Sequence, residues 1–205
     1  YEDGERVPFD DLLKIIKNIQ DKIQIPLTVD VEGGYSKHID IICKNIHSLV
    51  ELNIAGINIE DSIVNKKREI LEAQEFGEKI RKIKTYLLKN DIHIFVNVRT
   101  DFYIMGLDNP LDETLKRIQV YEKAGADGIF VPCITSEKDI KQVVESTNLP
   151  VNVMAMQDLP DFNVLTELGV KRISMGPFGY NRLMDTFEQT LSTILQKQSF
   201  NCLFR

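Results

Sequence analysis

Apolar residues recur along this chain in two alternating rhythms. Phe9, Leu12, Leu13, Ile16, Ile19 and Ile23 return every three or four positions, the spacing that lines one face of an α-helix. Pro26 stops that run, and the short apolar stretch Leu27-Thr28-Val29 after it predicts a strand. The cycle then repeats to the C-terminus. The pattern predicts helices over 37–52, 68–89, 112–124, 137–146, 162–168 and 183–196. It predicts strands over 57–59, 93–98, 128–131, 151–154 and 172–175.

The joints repeat as well. Gly56, Gly125 and Gly169 each stand between a predicted helix and an apolar strand, where a left-handed helix cap needs glycine. Ile25-Pro26-Leu27 and Leu149-Pro150-Val151 form a second recurring approach to a strand. Strands alternating with helices, several of them nearly all apolar, predict an α/β protein with a parallel sheet covered by helices. A dinucleotide-binding sheet would carry G-x-G-x-x-G after a strand, which this chain lacks. Polar residues instead follow several different strands, as in a (β/α)8 barrel. Eight units need about 250 residues, and the sequence has 205. The expectation is one TIM-type barrel domain over 1–205, N-terminally incomplete, without its first βα unit and second strand.

Composition narrows the class. A hydrophobic fraction of 43% and a charged fraction of 27% describe a globular chain. No apolar run reaches the ~18 residues of a membrane span, and no signal peptide is visible. A net charge of −6 without a basic cluster predicts no nucleic-acid partner. Cys43, Cys133 and Cys202 are scattered without a C-x-x-C pair, as are His38, His47 and His93. That argues against disulfides, zinc or a hydrolase triad and favours the cytoplasm.

The candidate chemistry lies where strands end. In Thr28-Val29-Asp30-Val31-Glu32-Gly33-Gly34-Tyr35, strand periodicity places Asp30 and Glu32 on one side, with two glycines after them that admit a ligand. Asn58-Ile59-Glu60-Asp61-Ser62 ends the next strand with a third and fourth carboxylate. Such acids either surround a hard cation, for which Mg²⁺ is the natural occupant, or serve separately as helix caps and solvated loop residues. Asn97-Val98-Arg99-Thr100-Asp101 places Arg99 and Asp101 on one face. Arg99 there can grip a substrate carboxylate or phosphate, or tie the rim through Asp101. Asn152 adds an inward polar group, while Arg172 precedes its strand and reads as structural.

Taken together, these motifs resemble the isocitrate lyase/phosphoenolpyruvate mutase superfamily nearly end to end. The residues carrying the resemblance are Tyr1-Glu2-Asp3-Gly4-Glu5 to Pro8, Val29 to Tyr35, Gly56 to Ser62, Asn97 to Asp101, Ala124 to Pro132 and Gly169 to Pro177. The resemblance implies a Mg²⁺-dependent barrel (Mn²⁺ as a substitute) acting on 2-oxo acids through an enolate-like intermediate. It implies Asp30 as direct metal ligand, Glu32 and Glu60 holding the ion partly through waters, and Arg99 on the substrate. Gly33, Gly34 and Asn152 would line the substrate site. It also implies a homo-oligomer, dimeric or tetrameric, with segment 183–205 exchanged between subunits.

Departures from the family pattern limit the reading. The lyases acting on isocitrate or 2-methylisocitrate carry a "KKCGH" cysteine loop, and no cysteine lies between Cys43 and Cys133 here. The run from Ser62 to Arg68 passes quickly into a predicted helix, so Asn65 and Lys66 read as helix-start polarity rather than a remnant gate. Glu32 replaces the aspartate of several members. The expectation is lyase or hydrolase action on an oxaloacetate-like 2-oxo carboxylate. The alternatives are phosphoenolpyruvate/phosphonopyruvate C–P chemistry, or a weakened barrel that only binds metal and carboxylate.

Overall fold

A computed structural model describes residues 4–64 and 67–204. Positions 1–3, and with them the start of the first motif, lie outside the described residues, as do Asn65 and Lys66. In chain order the elements are α1 (Phe9–Gln20), β1 (Thr28–Asp30), α2 (Ile39–Val50), β2 (Gly56–Glu60), β3 (Ser62–Val64) and β4 (Arg68–Ile70). They continue with α3 (Ala73–Lys89), β5 (Phe95–Arg99), α4 (Pro110–Ala124), β6 (Gly128–Val131), α5 (Glu137–Glu145), β7 (Val151–Met154), α6 (Phe162–Glu167), β8 (Arg172–Ser174) and α7 (Phe178–Lys197).

Six strands form one sheet in the order β1-β2-β5-β6-β7-β8, and every neighbouring pair is parallel. Strands lie side by side in chain order with helices between them, which is the winding of a TIM-type barrel. The sheet curls: the Arg172 Nη2 on β8 donates to Thr28 Oγ1 on β1 at 3.2 Å, joining the two ends of the strand order across the concave face. The result is a curled, open barrel sheet of six strands among the described residues, where a closed ring has eight.

Alternation along the strands sorts the side chains. Val29, Ile57, Ile59, Val96, Val98, Ile129, Val131, Val151 and Val153 face outward and are buried under the helices. Helix α3 supplies Phe76, Ile80, Ile83 and Leu87 to that layer, all at most 2% exposed. Burial of each such side chain contributes about 1.5–3 kcal/mol. The concave face is polar instead, with Asp30, Asn58, Glu60, Asn97, Arg99, Asn152, Arg172 and Ser174 sharing the inward parity.

Several sequence expectations are corrected. Residues 68–70 are not the start of a helix: Arg68–Ile70 pairs antiparallel with Ser62–Val64, and α3 begins at Ala73. Ile70 and Leu71 mimic a helical stripe, but ladder bonds and ion pairs of Arg68 with Glu60 and Asp101 hold this stretch extended. Gly56 is no cap but the first residue of β2, where a Cβ would lie 2.5 Å from the Phe95 carbonyl oxygen. The last helix begins at Phe178 rather than Leu183, and none of its residues is buried. Arg172 opens β8, where the predicted strand 172–175 begins, and does not precede the strand.

Candidate active site

Because all strands of a barrel sheet run the same way, their last residues share one rim. Asp30 closes β1, Glu60 closes β2 and Arg99 closes β5. The register sets Asp30 beside Asn58 and Glu60 beside Arg99. Arg99 is the hub. Its Nη1 lies 3.0 Å from Glu60 Oε2 and 4.0 Å from Asp30 Oδ2, while its Nε donates to Asp101 Oδ1 at 2.6 Å. Phe130 from β6 lies under the guanidinium, 5.9 Å from its centre, and restrains its plane.

A second arginine, which the sequence reading placed in a helix, closes the other side. Arg68 Nη1 lies 2.5 Å from Glu60 Oε1 and 2.8 Å from Asp101 Oδ2, and donates to Ser62 Oγ at 2.7 Å. Glu60 is therefore held on both oxygens, and Asp101 accepts from both arginines and from the Ser62 hydroxyl. Burial pushes the Glu60 pKa up to about 7; Arg99 and Arg68 pull it down, and Asp101 and Asp30 add to the rise. Among sequence signals, only the β-branched pair Ile63-Val64 hinted at the ribbon that brings Arg68 here.

Asp30 differs from its neighbours. Its side chain is 49% exposed, and it accepts a hydrogen bond from the Glu32 backbone N–H at 3.3 Å. The crowded wall around it raises its pKa, against the lowering pull of Arg99. It is the rim carboxylate with an open approach from the concave face.

Two further expected rim acids have partners of their own. Strand β1 ends at Asp30, and Glu32 follows in a left-handed turn with φ 47°. Its carboxylate turns away from the strand face to accept the Gly4 and Glu5 backbone N–H groups, at 2.6 and 2.8 Å. Glu5 reciprocates by accepting the Tyr35 N–H at 2.6 Å. Asp61 faces the helices rather than the rim. Fully buried, it accepts from Arg117 at 2.9 Å, Tyr121 at 2.7 Å and the Asp101 N–H at 2.9 Å. Gly34 occupies φ 106°, where a Cβ would lie 2.7 Å from Ile42 Cγ2. Gly33 abuts a cleft of about 380 Å³ whose lining includes Glu5, Glu32, Glu60, Ser62 and Lys79.

Deeper in the concave face, Asn97 Nδ2 donates to Asn58 Oδ1 at 2.9 Å and lies 3.4 Å from Asn152 Oδ1. Asn152 is buried and faces Ser174 at 3.4 Å. Asp30, Glu60, Arg99 and Asn152 thus share the inward parity of the sheet, and Glu32, beyond the strand, lines a cleft with Glu60.

Among the described residues, no three His, Cys, Asp or Glu side chains converge as a ready metal cage. The donor chemistry still suits a hard, hydrated cation. Asp30 offers one accessible carboxylate, and ions such as Mg²⁺ bind through one or two carboxylates while keeping several waters. Glu60 has both carboxylate oxygens tied to arginines.

The comparisons agree with this architecture. The family model described as phosphoenolpyruvate phosphomutase matches residues 1–195. An uncharacterised protein of Mycobacterium tuberculosis is 33% identical over 159 residues, 78% of this chain and 57% of its own length. The oxaloacetate decarboxylase of Pseudomonas fluorescens is 28% identical over 153 residues, covering 72% of this chain and 51% of the relative. The chain thus spans between half and three fifths of the length of these relatives. The structure of oxaloacetate acetylhydrolase with oxalate superposes with a TM-score of 0.85 over 98% of this chain and 71% of that one; at 16% identity it shows the shared fold. Mutases, decarboxylases and hydrolases of this kind are enzymes, and the chain belongs to the phosphoenolpyruvate phosphomutase family.

Proposed function

We propose that this protein is a Mg²⁺-dependent enzyme that cleaves a C–C bond of a small 2-oxo carboxylate, with an oxaloacetate-like dicarboxylate as substrate. The observation that carries the reading is Asp30, an open carboxylate beside Arg99 on the concave rim. Asp30 would hold the ion directly, with Glu60 and, by the family resemblance, Glu32 contributing through waters; Mn²⁺ could replace it. A bound divalent cation supplies Lewis-acid stabilisation of negative charge on the 2-oxo oxygen.

The protein's own residues do the rest. Arg99 presents a guanidinium to the substrate carboxylate and compensates the charge that grows as the enolate leaves. Asp101 and Phe130 fix the plane of that guanidinium. Arg68 neutralises Glu60 and Asp101, so that the rim does not repel an anionic substrate. Asn97 and Asn152 offer amide groups from the wall below. The exposed apolar residues of α7, among them Leu183, Phe187 and Leu195, support assembly as a homo-oligomer in which this segment is covered by a second copy.

The relatives' named activities, decarboxylation and acetylhydrolysis of oxaloacetate, favour that substrate. The phosphomutase family model favours C–P chemistry on phosphonopyruvate as the second reading. Proton NMR of the protein with oxaloacetate and Mg²⁺ tests the choice, against an enzyme-free blank with the same metal. Turnover above the blank that EDTA abolishes is the expected result. Pyruvate as product means decarboxylation, and acetate with oxalate means hydrolysis. A rate equal to the blank overturns the oxaloacetate reading, and turnover of phosphonopyruvate in its place would establish the second.

A further inference from the structure

Four arginines line or back the sheet, and three are neutralised. Arg99 meets Glu60 and Asp101, Arg68 meets the same two acids, and Arg117 meets Asp61. Arg172 is different. It opens β8 with its Cα paired to Asn152, and shares the inward parity of Ser174. Its guanidinium crosses the concave face, with Nη2 3.2 Å from Thr28 Oγ1 and Nη1 3.5 Å from Asn58 Oδ1. Both partners are neutral, both bonds are long, and the residue stays exposed. Among the described residues it takes part in no ion pair. A guanidinium has five donors in a planar fork matched to a carboxylate, and here most of that fork is uncommitted.

Its place is set by the register. Thr28 lies two residues before Asp30 on the same strand face, and Asn58 is the Cα partner of Asp30. Through Asn152 and Phe130 the Arg172 Cα shares the ladder row of Arg99, but its guanidinium reaches across to lie between Asn58, the partner of Asp30, and Thr28, two residues below Asp30. The wall between is amide-lined, by Asn58, Asn97 and Asn152. An acid held at Asp30 and Arg99 by its 2-oxo carboxylate end would point its other end down this wall.

We infer that Arg172, with Asn58 and Asn152 around it, seats the second carboxylate of the substrate and so selects dicarboxylates over monocarboxylates. The inference rests on the proposed metal site at Asp30 and adds to it a specificity-determining residue. A purely structural Arg172 would only stitch β8 to β1.

The test uses two stable 2-hydroxy acids that differ by one carboxylate, L-malate and L-lactate, titrated calorimetrically into the full chain with Mg²⁺. The wild type should bind malate about tenfold or more tighter than lactate, as a charge-assisted fork adds. Arg172→Met should reduce malate affinity to that of lactate and leave lactate unchanged, and Arg172→Lys should recover part of the difference. Melting curves accompany each variant. Selectivity that survives in Arg172→Met, or Met and Lys variants that unfold below the assay temperature, would mean a structural role and overturn the inference. Equal binding of both acids by the wild type, abolished by Asp30→Ala, sinks the inference but keeps the metal reading. Binding of neither acid, with or without Mg²⁺, removes both.

Discussion

Glu60 and Asp61 are neighbours in sequence and face opposite sides of the sheet, each into a cluster of acid and arginine. Behind the sheet, Asp61 is 0% and Arg117 5% exposed. Tyr121 and Arg117 donate to one carboxylate oxygen, the Asp101 N–H to the other, and Arg117 Nη2 to the Leu71 carbonyl, while Arg117 Nε is buried without a hydrogen-bond partner. Phe102 stacks 4.6 Å from that guanidinium. In front, Glu60, Asp101, Arg99 and Arg68 form a comparable network, but Asp30 at its edge keeps an accessible carboxylate. The same chemical groups thus make a closed joint on one face and an open site on the other. What separates them is access from outside, 0% and 5% exposure for Asp61 and Arg117 against 49% for Asp30, not the number of charges. The closed cluster also serves the open one, because Asp61 anchors the backbone of Asp101, which in turn orients Arg99.

The sharpest way to break the comparison is to truncate one acid on each face. Asp30→Ala should lower turnover of the preferred 2-oxo acid by about 10³-fold or more, as loss of an electrostatic stabiliser does. Its melting temperature should stay within a few degrees of wild type, since Asp30 is half exposed and lightly bonded. Retained turnover would mean that the open carboxylate is not the metal holder.

Asp61→Asn should do the reverse. It strands a buried guanidinium, and breaking such a pair costs about 3–5 kcal/mol. For a chain of this size that lowers the melting temperature by roughly 6–20 °C. Calorimetric melting reads it directly. Replacing both partners, as Asp61→Leu with Arg117→Met, should recover much of the loss, because apolar substitutes leave no unpaired charge. A double variant no better than the single would show that the hydrogen bonds to Tyr121 and Asp101 dominate.

The two clusters also mark what the sequence could show. Strand parity alone places Asp30, Glu60 and Arg99 on one rim, because a period of two survives any detail of packing. Helix stripes such as Phe76, Ile80, Ile83 and Leu87 were legible for the same reason. The ribbon at Ser62–Ile70 was not, since Ile70 and Leu71 fit a helical period and only contacts between distant residues hold them extended. Arg68 therefore stayed invisible as a rim residue. Asp61 keeps the parity of Ile57 and Ile59, which turns it to the helix side, so its nearness in sequence to Glu60 was a false guide to the rim. Arg172 carried no local signal: its neighbours Thr28 and Asn58 lie 144 and 114 residues away.

Glu32 gives the smallest expected effect and the finest discrimination. Its carboxylate accepts two backbone N–H groups of the segment before α1, while Glu5 accepts Tyr35 in return, so the two acids clasp the loop that follows Asp30. In Glu32→Gln one acceptor oxygen becomes an NH₂ that faces a donor. The loss should be about 1–3 kcal/mol, the value of a hydrogen bond to a charged group, read as a modest fall in melting temperature. If the clasp is its whole role, Mg²⁺ affinity by titration calorimetry changes little, and the rim stands on Asp30 and Glu60 alone. If Glu32 also holds the ion through water, as the family resemblance implies, Mg²⁺ affinity falls tenfold or more, on the scale of lost outer-shell support, about 10–100-fold. The carboxylate offers about four acceptor sites, of which the Gly4 and Glu5 N–H groups take two, so both roles can be filled without releasing the clasp.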